Sequence, residues 1–221
     1  MNAMRPGRDP RAAEIAEQFR EWERSKSPYL WRRRVEIALP HLPGRGRVLD
    51  VGCGDRSAIE RLERTRPDLE YVGADLREMT LAPGLVRADC QILPFAARSF
   101  DCALMLAVIE HVPDQRAALA EARRVLRPGG TLLLTTPNPL YAVPNAIAAR
   151  LGLKYREGYD NSLTLRQLRS IAAAAGLEVA ETRRFLLLPF ASPLADLDRL
   201  VGRVPLARRL LLNQFLKARR P

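Results

Sequence analysis

Cysteine, lysine and long apolar runs are all scarce in this 221-residue chain. Cys53, Cys90 and Cys102 are odd in number and form no CxxC pair, which excludes a disulfide framework and a cysteine-rich zinc site and fits a reducing cytoplasm. The amino terminus has no apolar core segment of the signal-peptide kind. The longest uncharged run, Pro128 to Ala149, carries prolines and asparagines, so it reads as a buried strand followed by a loop rather than a membrane span. A cytoplasmic protein is the expectation. Lys26, Lys154 and Lys217 are the only lysines among 36 basic residues, and the net charge is +11. Arginine bias of this strength follows a GC-rich genome, and the arginines are spread over the chain rather than gathered in one stripe. Acidic small substrates, or weak association with an anionic membrane surface, account for the charge at least as well as nucleic acid.

What is present is an ordinary globular balance of 47% hydrophobic and 28% charged residues, enough for one α/β domain with an appendage. Residues 10 to 42 read as two helices separated at Pro28, which gives an amino-terminal helical cap over 1–42 and a main domain over 43–221. Strand-like and helix-like stretches then alternate. "RVLDVG", "EYVGADL", "FDCALMLAVI", "GGTLLLTTP" and "LEVAETRRF" are the strands. "SAIERLERTR", "DQRAALAEARRVL" and "TLRQLRSIAAAAG" are the helices, the last with a Thr164–Gln167 capping box and a stop at Gly176. Val-, Leu- and Ile-rich strands separated by helices predict a doubly wound, mostly parallel sheet of the Rossmann kind.

In such a sheet ligands bind beyond the carboxyl ends of the strands, where the strand order reverses. "VLDVGCGDRS" places Gly52 and Gly54 there, able to turn tightly and to let a ligand approach the backbone. A dinucleotide fingerprint wants a third glycine where Ser57 stands. Asp50, just inside the strand, would repel a pyrophosphate but suits an ammonium and a sulfonium. Asp75 ends the second strand, where a carboxylate can accept both ribose hydroxyls, and Asp89 follows the third, suited to an exocyclic adenine amine. The pattern points to a cationic nucleoside.

The ordered set "VLDVGCG", "YVGADL", "ADCQILPFAARSFD", "LAVIEHVPD" and "RVLRPGGTLLLTTPN" resembles the class I S-adenosylmethionine-dependent methyltransferases, in particular the group that includes ubiquinone-biosynthesis enzymes. The resemblance implies a seven-stranded sheet whose last strand is antiparallel, with "LLNQFLKAR" supplying that strand between the fifth and sixth. It implies S-adenosylmethionine as cofactor, with Asp50, Gly52, Gly54 and Ala107 about its methionine part. Asp75 would hold the ribose, Leu76 would stand beside it, Asp89 would take the adenine amine, and Cys90 would offer a backbone N–H to the ring. Arg56 replaces a third glycine common in the family. Metal-using relatives carry Glu-x-x-Glu-His; Ala107 stands in the first acidic position, leaving only Glu110 and His111, so no metal is expected.

Several residues keep two readings. Asp75 could be a strand-end surface carboxylate and Asp89 only a loop cap. His111 is either a base that deprotonates a substrate hydroxyl or a side chain that orients its loop. Trp22, Tyr29 and Trp31 either roof an acceptor pocket or pack the helices, and the "RRR" at 32–34 reads as a solvated helix face. The implied reaction is in-line methyl transfer to a small, apolar acceptor such as a quinone, polyketide or lipid-like molecule. Its rivals are an RNA methyltransferase, a nicotinamide-dependent oxidoreductase and a catalytically dead cofactor-binding module. A helix predicted over about Leu194 to Val204, with Leu194, Leu197, Leu200, Val201 and Val204 on one face, would cover the acceptor pocket, pack on the core or rest on an anionic membrane.

Overall fold

Val48, Leu49, Asp50 and Val51 are all buried, which a strand reaches only when both faces of its sheet are covered. The computed structural model describes residues 28–76, 83–141, 150, 161–186, 201, 204 and 206–221. The helix expected before Pro28 and nearly all of the one predicted over 194–204 lie outside the described residues. Strands β1 (Gly46–Val51), β2 (Leu69–Asp75), β3 (Leu85–Arg87), β4 (Phe100–Leu106), β5 (Leu126–Pro137), β6 (Glu178–Phe185) and β7 (Asn213–Arg219) form one seven-stranded sheet in the order β3-β2-β1-β4-β5-β7-β6.

Side chains alternate between the two faces, as the two-residue period of a strand requires. Val48 of β1, Cys102 and Leu104 of β4, Leu133 of β5 and Phe215 of β7 share one core with Val35 and Ala38 of helix α1 (Pro28–Ala38) and Ile59 and Leu62 of α2 (Ser57–Thr65). Leu49, Val51, Ala103, Met105, Leu132, Leu134 and Leu216 face the other way. They pack on Leu119 and Ala122 of α3 (Gln115–Val125) and on Leu168 and Ala172 of α4 (Leu165–Ala174).

Helices α3 and α4 start where side-chain caps satisfy their free N–H groups. The Asp114 carboxylate accepts from the N–H groups of Arg116 and Ala117 to open α3, and the Thr164–Gln167 capping box opens α4. β7 runs antiparallel to both neighbours, from Asn213 opposite Pro137 and Phe185 to Arg219 opposite Thr131 and Glu178. β6 is therefore parallel to β5, and the carboxyl ends of all strands but β7 share one edge of the sheet.

Two local expectations change. β4 stops at Leu106, three residues earlier than its apolar run suggests, because Ala107 takes a left-handed backbone (φ +60°) and Ile109–His111 turn into a short 3-10 helix. The arginines at 32–34 are not one solvated face. Arg32 is exposed, but Arg34 turns inward beside Val35 and donates from Nε and Nη2 to Asn213 Oδ1 at 3.4 and 3.2 Å. Tyr29 and Trp31 are half-buried against the α1–α2 core. No helix among the described residues is long and apolar enough to cross a membrane.

Candidate functional site

The sheet order reverses direction at β1, with β2 on one side and β4 on the other, the switch point at whose carboxyl edge a sheet of this kind has its ligand crevice. The β1 loop folds across the end of β2. The Gly52 and Cys53 N–H groups both donate to Ala74 O, at 2.6 and 3.2 Å, and the Gly54 N–H donates to Asp75 Oδ2 at 2.8 Å. This path requires positive φ at Gly52 (+73°) and Gly54 (+59°). A Cβ on Gly52 would lie 2.4 Å from Val108 Cγ2, so the β4 loop closes directly over the bare glycine backbone. Arg56, standing where relatives often carry glycine, also adopts a left-handed conformation (φ +68°) as it leads into α2. Its guanidinium reaches Glu63 at 2.6 Å.

Asp50 and Asp75 are both buried, on adjacent strands. Asp50 lies on the α1–α2 face, Gly73 and Leu104 are its strand partners, and its Oδ2 has no hydrogen-bond partner. Burial, reinforced by the Asp75 charge, pushes the Asp50 carboxyl up to about 7. A buried, unpartnered carboxylate oxygen beside a second acid is costly unless a cation arrives to pair with it. A pyrophosphate would add to the repulsion, whereas an ammonium or sulfonium would relieve it.

The other candidate residues follow the carboxyl ends of β2, β3 and β4. Leu76 follows Asp75 with 45% of its surface exposed. Asp89 caps its own turn, its Oδ1 accepting from the Gln91 N–H at 2.8 Å and both oxygens from Gln91 Nε2 at 3.1 Å. A carboxylate has lone pairs to spare for a further donor. Cys90 is half-buried and its thiol is pushed up to about 12, chiefly by burial and then by Asp89, so it is no nucleophile near neutrality. Ala107 donates its N–H to Thr135 O at 2.9 Å, which holds the exit of β4 against β5.

Beyond Ala107, Glu110 is buried while His111 is exposed. Burial pushes the Glu110 carboxyl above the usual range against the opposing pull of His111 and Arg34, and its Oε2 has no partner. The Glu110 backbone accepts from the Asn161 N–H at 2.8 Å, and Gln115 Nε2 bridges Ile109 O and Asn161 O at 2.9 and 2.8 Å. The turn that presents His111 is thus held rigidly. Val108 and Asn213 were not singled out from sequence, and Arg34 reads there only as part of a solvated face. For Arg34 a signal existed, since Trp31, Arg34, Val35 and Ala38 follow the i, i+3, i+4, i+7 spacing of one helix face.

A family model described as a methyltransferase domain matches residues 19–182. The chain belongs to the class I S-adenosylmethionine-dependent methyltransferases. It is 34% identical over 135 residues to phthiotriol/phenolphthiotriol dimycocerosates methyltransferase 1 of Mycobacterium ulcerans, covering 57% of this chain and 50% of that protein. With the fatty-acid O-methyltransferase of Mycolicibacterium smegmatis it shares 38% identity over 108 residues, 44% of this chain and 39% of that one. The chain thus spans half or less of these curated relatives. Its fold matches phosphoethanolamine N-methyltransferase 2 of Haemonchus contortus, solved with S-adenosyl-L-methionine, at a TM-score of 0.60 and 18% identity over 86% of this chain and 53% of that one. S-adenosylmethionine is the cofactor of the family, and the orphaned Asp50 oxygen, the Gly52 cradle and the paired acids fit its positive charge.

Proposed function

We propose that this methyltransferase acts on a small, apolar acceptor of the lipid or quinone kind. The observation that carries this reading is where apolar surface is left uncovered. Leu76, Ile92, Leu140, Val204, Leu206 and Leu210 are the six exposed large hydrophobic residues among the described ones. Leu76 follows β2, Ile92 follows β3, Leu140 follows β5, and the other three stand between β6 and β7. All six therefore occupy the edge of the sheet that carries the glycine turn. Scattered exposed leucines need no explanation, but their gathering at a ligand-binding edge does. The names of the two relatives, a dimycocerosate and a fatty-acid methyltransferase, favour the same class.

In this reading Asp50, Gly52, Gly54 and Ala107 border the methionine moiety, Asp75 the ribose with Leu76 beside it, and Asp89 and Cys90 the adenine. S-adenosylmethionine supplies an activated methyl group, so no covalent bond to the protein is needed. The chain's contribution is to align the acceptor and exclude water, which supplies most of the acceleration when geometry is well set. His111, exposed in the turn after β4, is the group that would take a proton from an acceptor hydroxyl in this reading. Val35 and Ala38 of α1 are buried against the sheet, which supports the amino-terminal cap expected from sequence.

The test is to supply methyl-labelled S-adenosylmethionine and a solvent extract of bacterial lipids and quinones to the purified protein. Label is expected in the organic phase, and much less with Leu140→Ser. Label confined to an RNA fraction, lost steeply with added salt, would overturn the reading.

A further inference from the structure

Nine arginines among the described residues reach a carboxylate within 3.5 Å. Arg47, Arg56, Arg66, Arg124 and Arg127 each reach a carboxylate within 2.9 Å. Arg184, Arg208 and Arg209 differ. Arg184 lies at the carboxyl end of β6, and Arg208 and Arg209 lie in the 3-10 turn Ala207–Leu210 that leads into β7. Antiparallel pairing of β6 with β7 sets Arg184 opposite Gln214 and so brings the turn to it. With Leu206 these three arginines line a cavity of about 550 Å³. Among the described residues none of the three makes a salt bridge, and Arg184 Nε is buried without a hydrogen-bond partner. Burial, and then repulsion from Arg209 and Arg208, hold the Arg184 guanidinium below its usual range. Three like charges around a cavity, one with a buried free donor, are relieved by an anion rich in oxygen acceptors.

The cavity opens at the same edge of the sheet as the glycine turn, since β6 runs parallel to β4 and β5. Three strand spacings separate the end of β4 from the end of β6, a lateral distance on the order of 14 Å. Exposed Leu140 lies between, and Leu206 and Leu210 adjoin the arginines. From this arrangement we infer that the cavity holds the anionic head group, phosphate or carboxylate, of an elongated acceptor whose apolar body crosses the strand ends to the β4 crevice. The inference rests on the methyltransferase reading and adds to it that the methylated atom is remote from the charged head.

Octyl phosphate, inorganic phosphate and octanol are the probes, titrated calorimetrically into wild type and into the double variant Arg208→Ala/Arg209→Ala. The fold uses the carbonyl of Arg209, which accepts from Asn138 Nδ2 at 3.0 Å, and this bond survives the substitution. Octyl phosphate should bind wild type more tightly than either other probe and bind together with S-adenosylmethionine. The double variant should lose roughly tenfold or more of that affinity, because charge-assisted hydrogen bonds are removed, while its S-adenosylmethionine affinity stays unchanged. Equal octyl phosphate affinity in the two proteins would overturn the inference. So would inorganic phosphate binding as tightly as octyl phosphate, which would mark a free-anion site. Retention by phosphatidylglycerol vesicles through these arginines, without octyl phosphate binding, would mark a membrane contact and overturn it equally. Octyl phosphate binding that depends on the arginines, with no S-adenosylmethionine binding to wild type, would sink the methyltransferase reading and leave the anion site standing.

Discussion

Lowering the pH from 7 to 5.5 should weaken S-adenosylmethionine binding, and Asp50 is the reason. Its carboxyl is pushed up to about 7 in the folded protein by burial and by Asp75. Roughly half of it is ionised at pH 7 and only about 3% at pH 5.5. If the ligand's positive charge is held by the ionised form, affinity falls about fifteenfold over that interval. The ligand's own α-amino group, with a pKa of about 8, stays largely protonated over this range, so the change belongs to the protein. Binding near pH 7 should release about half a proton per ligand, read by calorimetry in two buffers of different ionisation heat. The unliganded protein shows the opposite face of the same shift. The folded value lies above the ordinary 3.8, so between about pH 4 and 7 the unfolded chain binds fewer protons. This group's contribution therefore falls as pH rises through that window, and ligand restores it. Asp50→Asn should bind more weakly at pH 7, with the pH dependence flattened. Affinity that is flat from pH 5.5 to 7 in wild type, without proton release, would refute the reasoning.

Three further outcomes are expected. Asp75→Ala should cost more than a lost ribose contact, because Asp75 Oδ2 also anchors the Gly54 N–H at 2.8 Å; a loss of about 3 kcal/mol or more in S-adenosylmethionine binding is expected, and unchanged calorimetric affinity would remove Asp75 from the site. Gly52→Ala should lower both melting temperature and cofactor affinity, since the new methyl meets Val108 at 2.4 Å and φ is +73°; adding Val108→Ala should recover part of the loss and leave the backbone strain, and full recovery would show that φ costs nothing here. With Ala107 in place of the acid that metal-using relatives carry, turnover of a found acceptor should survive exhaustive EDTA, and rescue of a lost activity by magnesium or zinc would overturn this.

Much of this architecture is legible in the sequence because burial on both faces leaves a plain record. The runs around Val48, Val72, Leu104 and Leu133 are apolar at successive positions, and the strands lie where those runs are. The last strand could be placed from "LLNQFLKAR" and lies at Asn213–Arg219, between the fifth and sixth strands as expected. Features set by tertiary contacts left no such record. The early end of β4 depends on the backbone of Ala107, which bonds to Thr135 on a neighbouring strand. The inward turn of Arg34 depends on Asn213, distant in sequence. Gly52, Gly54, Asp50 and Asp75 could be named from the strand-turn pattern, but the burial that perturbs Asp50 is a property of the assembled sheet. Arg184 stands far from Arg208 and Arg209 in the chain, and only antiparallel pairing brings them together.

The most direct test of the central claim, that this glycine turn and its two buried acids hold a cationic nucleoside, is a pair of calorimetric titrations at pH 7 with S-adenosylmethionine and with NAD. The account predicts saturable binding of S-adenosylmethionine, one per chain, weakened by Asp50→Asn, and no heat from NAD over the same range. Tight NAD binding, or S-adenosylmethionine binding indifferent to Asp50→Asn, would contradict it.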